Sequence, residues 1–338
     1  MKESLLTAAL CFMACVSGAT AAPYTVTGLG FLPGGSYSAA NGLNDAGQVV
    51  GHSNSSGGGR AFLWDAASGL QDLGTLPGGT FSEAHDINEA GQIVGQSEAT
   101  EGLRAFLWEA ETGMRDLGVL TGGSASAAAG VNDAGHVVGS STIADKDHAF
   151  LWSPAEGMQA LSPLINGSAS EAFSINNSGQ AVGYGATENG VRALRWQNTA
   201  TPQDLGALSG GDVSYARDIN ATGQIVGNSS SESARRAVVW DAEGGLQDLG
   251  ALPGSTLSYA YGINASGQIV GNSRTVDGQR AVLWEAGVGP QDLNDLIDPN
   301  SGWTLTNAVA INSSGQIVGT GVFQNGASQA VFLSPTQP

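Results

Sequence analysis

Apolar residues fall in short runs along this chain, parted by turn residues. In the stretch Ser82–Gly118 the runs are SEAHDIN (Ser82–Asn88), GQIVGQS (Gly91–Ser97), RAFLW (Arg104–Trp108) and MRDLG (Met114–Gly118). None carries the 3.6-residue period of a helix, so the pattern predicts four β-strands. Between the first two, Asn88-Glu89-Ala90-Gly91 reads as a tight hairpin turn. The Asn side chain bonds forward to the backbone and the Gly takes the positive φ that closes it. The third run is apolar on consecutive positions, as in a strand covered on both faces. The fourth leads into LTGG, elsewhere LPGG, where Pro presets φ and the glycines reverse the chain.

The same pattern returns at a fixed interval. Asn44, Asn88, Asn132, Asn176, Asn220 and Asn264 are spaced by 44, and Asn312 follows after 48. Trp64, Trp108, Trp152, Trp196, Trp240 and Trp284 keep the same step, with Leu333 at the seventh place. A fixed period of this length means that each repeat is one supersecondary unit burying its apolar faces against its neighbours. Each buried Trp removes about 150 to 250 Å² from water, worth roughly 4 to 6 kcal/mol.

The ends predict closure. Tyr24–Gly35 reads as a fourth strand and its turn without the first three. Asn307–Asn312, Gly315–Gly321 and Gln329–Ser334 are three strands without a fourth. The expected architecture is all-β: a seven-bladed β-propeller over 23–338, sealed when the amino-terminal strand completes the last blade.

Composition adds the compartment. Residues 1–22 combine Lys2, an apolar run from Leu5 to Val16 and the small residues Ala19-Thr20-Ala21, the pattern of a secretory signal. The run is too short to span a bilayer, so a secreted product, extracellular or periplasmic, is expected. Phe12-Met13-Ala14 is a poor match to the residues that precede a lipidated cysteine at Cys15. Cys11 and Cys15 both lie in this segment, leaving the remainder without a disulfide. The formal charge of −18 argues against nucleic acid and anionic membrane partners and for a soluble monomer. Fifty-one glycines at 41% hydrophobic content point to many turns between buried strands.

The combination of IN-x-x-GQ-[IV]-VG, then [RH]-AFLW, then DLG-x-LPGG resembles the bacterial extracellular repeats of the HAF family, and His148–Trp152 carries the His-Ala-Phe run in full. The resemblance covers nearly everything after the signal. It implies export and repeat content and brings no catalytic residues.

Residues that recur in every repeat are most economically structural. Arg60, Arg104, Arg192, Arg236 and Arg280 are expected to pair with Asp72, Asp116, Asp204, Asp248 and Asp292 at the blade edges. The Asn-x-x-Gly turns superficially resemble calcium loops but offer too few carboxylates for the roughly six to eight oxygens calcium takes, so no cofactor is expected and calcium is left as the weakly supported alternative. Asn264-Ala265-Ser266 matches a glycosylation sequon that turn chemistry explains. His136 and His148 are substitutions at scaffold positions, and His52 is placed in a polar loop after the second strand.

His85 differs. Its position in the first strand, which should line the central channel, varies among repeats: Asn41, His85, Ala129, Phe173, Arg217, Tyr261 and Val309. A constant framework with one variable inward position is how a binding surface on a rigid scaffold looks. Asn41, His85, Phe173, Arg217 and Tyr261 are the candidate ligand-binding residues, for a saccharide or a protein. The bland alternative is that they fill space between blades. No catalytic motif or metal-spaced cluster is present, and a non-enzymatic module is expected. A glycan-cleaving enzyme using a carboxylate pair such as Asp86 and Asp218 with His85 stays open, as does a purely structural repeat protein.

Overall fold

The computed structural model describes residues 22–165, 168–188 and 190–336. Both cysteines and all but the last residue of the expected secretory segment lie outside them. Each of the first six repeats forms a four-stranded antiparallel unit whose strands pair in chain order, and the last contributes three strands. In the repeat read above they are Ser82–Ile87, Ile93–Ala99, Gly102–Glu109 and Gly113–Asp116. Units in chain order cover 38–72, 82–116, 125–160, 170–204, 214–250, 257–292 and 303–335. One parallel bridge, Arg235 to Leu257, joins two neighbours. The strand Tyr24–Gly28 lies antiparallel to Ser328–Pro335, with Tyr24 opposite Pro335 and Gly28 opposite Val331, as the outer strand of that sheet.

The hairpin turns form because one side chain satisfies the loop. Asn88 accepts at Oδ1 from the N–H groups of Ala90 and Gln92, at 3.1 and 2.9 Å. Gly91 turns at φ 77° and donates to the Asn88 carbonyl at 3.1 Å. The Asn amide then reaches sideways. Asn44 donates to Asn88 O, Asn88 to Asn132 O, Asn132 to Asn176 O, Asn176 to Asn220 O, Asn220 to Asn264 O and Asn264 to Asn312 O. Asn312 donates to Asn44 O at 3.1 Å, back to the first repeat. Asn264 is only 4% exposed and its amide is occupied, so the folded chain does not present the sequon.

Buried serines make a second set of ties. Ser82 Oγ accepts from Ala61 N of the preceding repeat and donates to Gly74 O; Ser126, Ser214 and Ser258 repeat the arrangement. Ser38 does so between Ala330 and Gly30. Between sheets the core is shared by neighbours: Val94, Ala105 and Leu107 pack with Val137, Phe150 and Trp152 of the next repeat. Leu29, Ala40, Val49 and Phe62 pack with Val318 and Ala330 of the last. This all-β arrangement of sheets stacked face to face is that of a β-propeller.

Some details depart from the sequence reading. Trp64 is half-buried against the Phe332 ring at 5.5 Å, whereas Trp108, Trp152, Trp196, Trp240 and Trp284 are buried. The four additional residues of the last interval come where Leu293–Leu296 forms a 3-10 turn, capped by the Asp292 carboxylate on Asn294 N. The expected arginine–aspartate pairs reduce, among the described residues, to Arg104–Asp116 at 3.9 Å and Arg236–Asp248 at 3.8 Å. The aspartates are instead occupied locally: Asp72, Asp116, Asp204 and Asp248 accept from the N–H of Gly74, Gly118, Gly206 and Gly250. Arg60, Arg104 and Arg236 reach the carbonyls of Thr80, Ser124 and Ser255 in the following turn. No helix among the described residues is long and apolar enough to cross a membrane.

Candidate functional site

The variable position is where the strand pairing slips. In the repeat read above, Ala84 pairs with Gly95 and Asp86 with Val94, which leaves His85 as an extra residue in a β-bulge. The same slip leaves out Asn41, Ala129, Phe173, Arg217, Tyr261 and Val309 in the other repeats. A bulged residue is released from the ladder and its side chain is re-aimed. The partner glycine makes room for this. A Cβ on Gly95 would sit 2.0 Å from the Glu83 carbonyl oxygen, and Gly51, Gly139, Gly183, Gly227, Gly271 and Gly319 are equally crowded. The VG motif and the variable residue are therefore two halves of one device.

All seven bulged residues line a single cavity of about 360 Å³. Asp86 and Asp218 and the hairpin residues Asp45 and Glu89 share its wall. The structure thus brings Asn41, His85, Phe173, Arg217 and Tyr261 together, along with Ala129 and Val309.

One side of the interior is organised by Glu83. Its carboxylate accepts from Asn41 Nδ2 at 3.2 Å and from Gln96 Nε2 at 3.3 Å. His52 Nδ1 lies 3.1 Å away and His85 Nε2 3.6 Å away. His52 sits inside the strand Val49–Ser55, opposite Ala39 and Ala61, and not in a loop after it. The reading that placed it in a polar loop missed that the strand continues beyond the apolar residues. Burial alone would raise the Glu83 carboxyl, but hydrogen bonds and charge from the two imidazoles hold it far below the usual range. Burial opposes the charge on His85; the Glu83 contact outweighs it and pushes the imidazole up. With Nδ1 bonded to Ala128 O at 2.7 Å, its second proton sits on Nε2, facing Glu83.

The other side is aromatic. The Arg217 guanidinium lies 4.5 Å from the Phe173 ring and 5.4 Å from Tyr215. Tyr184 contacts both rings at 5.6 and 5.2 Å. Tyr261 stacks on Tyr259, with its hydroxyl 3.2 Å from Asn272 Nδ2. Asn228, 1% exposed, has neither amide atom hydrogen-bonded, and Arg217 Nε is likewise buried without a partner.

Asp86 and Asp218 are fasteners. Asp86 accepts from Ile87 N and, across the sheet boundary, from Val131 N, both at 2.9 Å. Asp218 accepts from Ile219 N, from Ile263 N across its own boundary, and from Ser174 Oγ. Burial raises both carboxyls, Asp86 to about 7 with the Asp218 charge adding to the effect. Among the described residues no group of His, Cys, Asp and Glu could hold a metal ion, and the Asn oxygens of the turns are occupied by their own backbone.

Sequence reasoning missed an inner tier. The residues after the VG glycine, His52, Gln96, Tyr184, Asn228 and Asn272, vary among repeats; His52 reaches Glu83 of the next repeat, Gln96 the Glu83 of its own, Tyr184 packs on Phe173, and Asn272 meets Tyr261 and Asn307. Their variation at the same 44-residue step was the available signal.

Comparison with protein-family models and with curated proteins finds no match. Solved structures match in fold. A streptogramin B lyase superimposes with a TM-score of 0.56 at 8% identity, over 93% of this chain and 98% of that one. A putative TolB from Agrobacterium tumefaciens gives 0.51 at 12%, over 88% and 90%. A puromycin hydrolase gives 0.54 at 16%, over 90% of this chain and 52% of its own. At such identities the likeness is one of architecture, and that architecture is propeller-type.

Proposed function

We propose that this chain is an exported, HAF-type, seven-bladed propeller, closed through its first strand, that binds a small saccharide at one mouth of its channel without transforming it. The observation that carries the reading is the convergence of every bulged, variable residue on one cavity. Closure is supported by the Asn amide hydrogen bonds, which run from repeat to repeat and return from Asn312 to Asn44. The volume, at the lower end for ligand sites, suits one or two sugar rings better than a protein loop. Aromatic faces beside amide and imidazole groups provide stacking and directional hydrogen bonds for hydroxyls.

A second reading, a glycan-cleaving enzyme, draws on Asp86 and Asp218 in the same wall with raised pKa. Their engagement with backbone N–H groups across sheet boundaries favours the framework role. A glycan array followed by thermal-shift titration of the hits tests the binding reading. The His85→Ala, Arg217→Ala double variant is expected to lose the ligand-induced rise in Tm. A variant stabilised as strongly as wild type would move the site elsewhere, and release of reducing ends from a hit would favour the enzyme.

A further inference from the structure

Arg217 is a cation with nothing to hold. In a chain of net charge −18, it makes no hydrogen bond or ion pair among the described residues, and its Nε is sealed from solvent. The neighbouring carboxylates are engaged elsewhere: Asp218 with Ile219 N, Ile263 N and Ser174 Oγ, and Glu171 with the Tyr184 hydroxyl. Glu171 acts on Arg217 only through space. The Phe173 and Tyr215 rings lie within cation–π range of the guanidinium and flank it. Phe173 shares the cavity wall with it. A guanidinium whose Nε is buried without a partner carries an unmet cost, and its half-buried planar fork, flanked by aromatic rings, suits bidentate contact with a carboxylate.

We infer that the ligand of this cavity is an acidic sugar, a uronic acid or a short oligomer ending in one, whose carboxylate docks on the edge of Arg217. This rests on the saccharide reading and narrows it. A carboxylate fits better than a phosphate: Asp86 and Asp218 lie in the same wall, and the second negative charge of a phosphate adds repulsion from them without adding a cation to meet it.

The test is calorimetric titration of the full chain with matched pairs, glucuronate with glucose and galacturonate with galactose, and with acetate. Wild type, Arg217→Gln and Arg217→Lys are compared, with circular dichroism to check folding. A uronate is expected to bind at least tenfold more tightly than its parent hexose. That preference should vanish in Arg217→Gln and shrink severalfold in Arg217→Lys, which keeps the charge but not the fork. Should Arg217→Gln fail to fold, Arg217→Lys and the salt dependence of wild-type binding carry the decision. Equal binding of uronate and hexose, or an undiminished preference in the variants, overturns the acidic-sugar inference and leaves the saccharide reading standing. Acetate binding as tightly as a uronate overturns the saccharide reading and keeps an anion site. Failure of all five probes overturns both.

Discussion

Asp86 shows how one side chain can serve the framework and tax it. Its two backbone hydrogen bonds tie neighbouring sheets, yet its carboxyl sits in a cavity wall that raises its pKa to about 7. A carboxyl raised in the folded state stabilises the fold fully below its unfolded value near 4, and that contribution fades as pH rises through 7. Asp218 and Glu171, also raised, act in the same direction, as does His85 around its own range. Glu83, held low, acts oppositely: its contribution is present above its unfolded value and is lost only in strong acid. Urea denaturation is therefore expected to give highest stability near pH 5 and a loss of a few kcal/mol by pH 8. Asp86→Asn should reduce that slope; an unchanged slope would show that Asp86 is not its source. Glycines separate at this scale too. Gly95→Ala forces a Cβ into the Glu83 carbonyl and is expected to cost about 3 kcal/mol or more. Gly113→Ala, at φ 73° in open space, should cost only about 1 to 2 kcal/mol. Chemical denaturation of the two single variants checks the ranking.

At the scale of the element, the hairpin turn is the unit that repeats most faithfully. Asn176 uses its oxygen to hold its own turn and its amide to hold Gln180 and the next repeat's Asn220 carbonyl. Asn176→Ala is expected to cost about 2 to 3 kcal/mol by stranding buried donors and acceptors. Asn176→Asp should keep the turn, lose the sideways bond and fall between, as thermal denaturation would register. This turn was legible in the sequence because Asn and Gly at fixed offsets have a local cause. The bulge beside it was readable only in part. Buried Ser82, Ala84 and Ile87 are spaced by two and then by three, and that extra step marks the slip, but a slip has meaning only against a paired strand. The arginine–aspartate pairs were misread for the converse reason. An Asp two residues before a Gly serves equally as a turn cap, and the nearer partner wins. His52 escaped because a polar residue at a strand end looks like loop until its half-buried partner, Glu83 of the next repeat, is known.

For the molecule as a whole, the strand Tyr24–Gly28 matters out of proportion to its length. Tyr24 is 8% exposed and packs in one cluster with Leu283, Leu305 and Leu333. Removing residues 22–28 exposes this cluster and the edge of Ser328–Pro335. A loss on the order of 4 kcal/mol is expected from the tyrosine alone, with a marked fall in Tm that a synthetic peptide of residues 22–30 partly restores. Unchanged melting would argue against the sealed ring. The pairing of end with beginning was legible from counting strands, whereas the chemistry of the cavity was not, since it depends on distant repeats meeting.

The bulge has a practical corollary. Whatever stands there is left out of the strand ladder. Seven single codons can thus be randomised together while the remaining scaffold is left alone. The molecule is a natural format for a combinatorial library of small-molecule receptors, each member differing only in the furniture of one chamber.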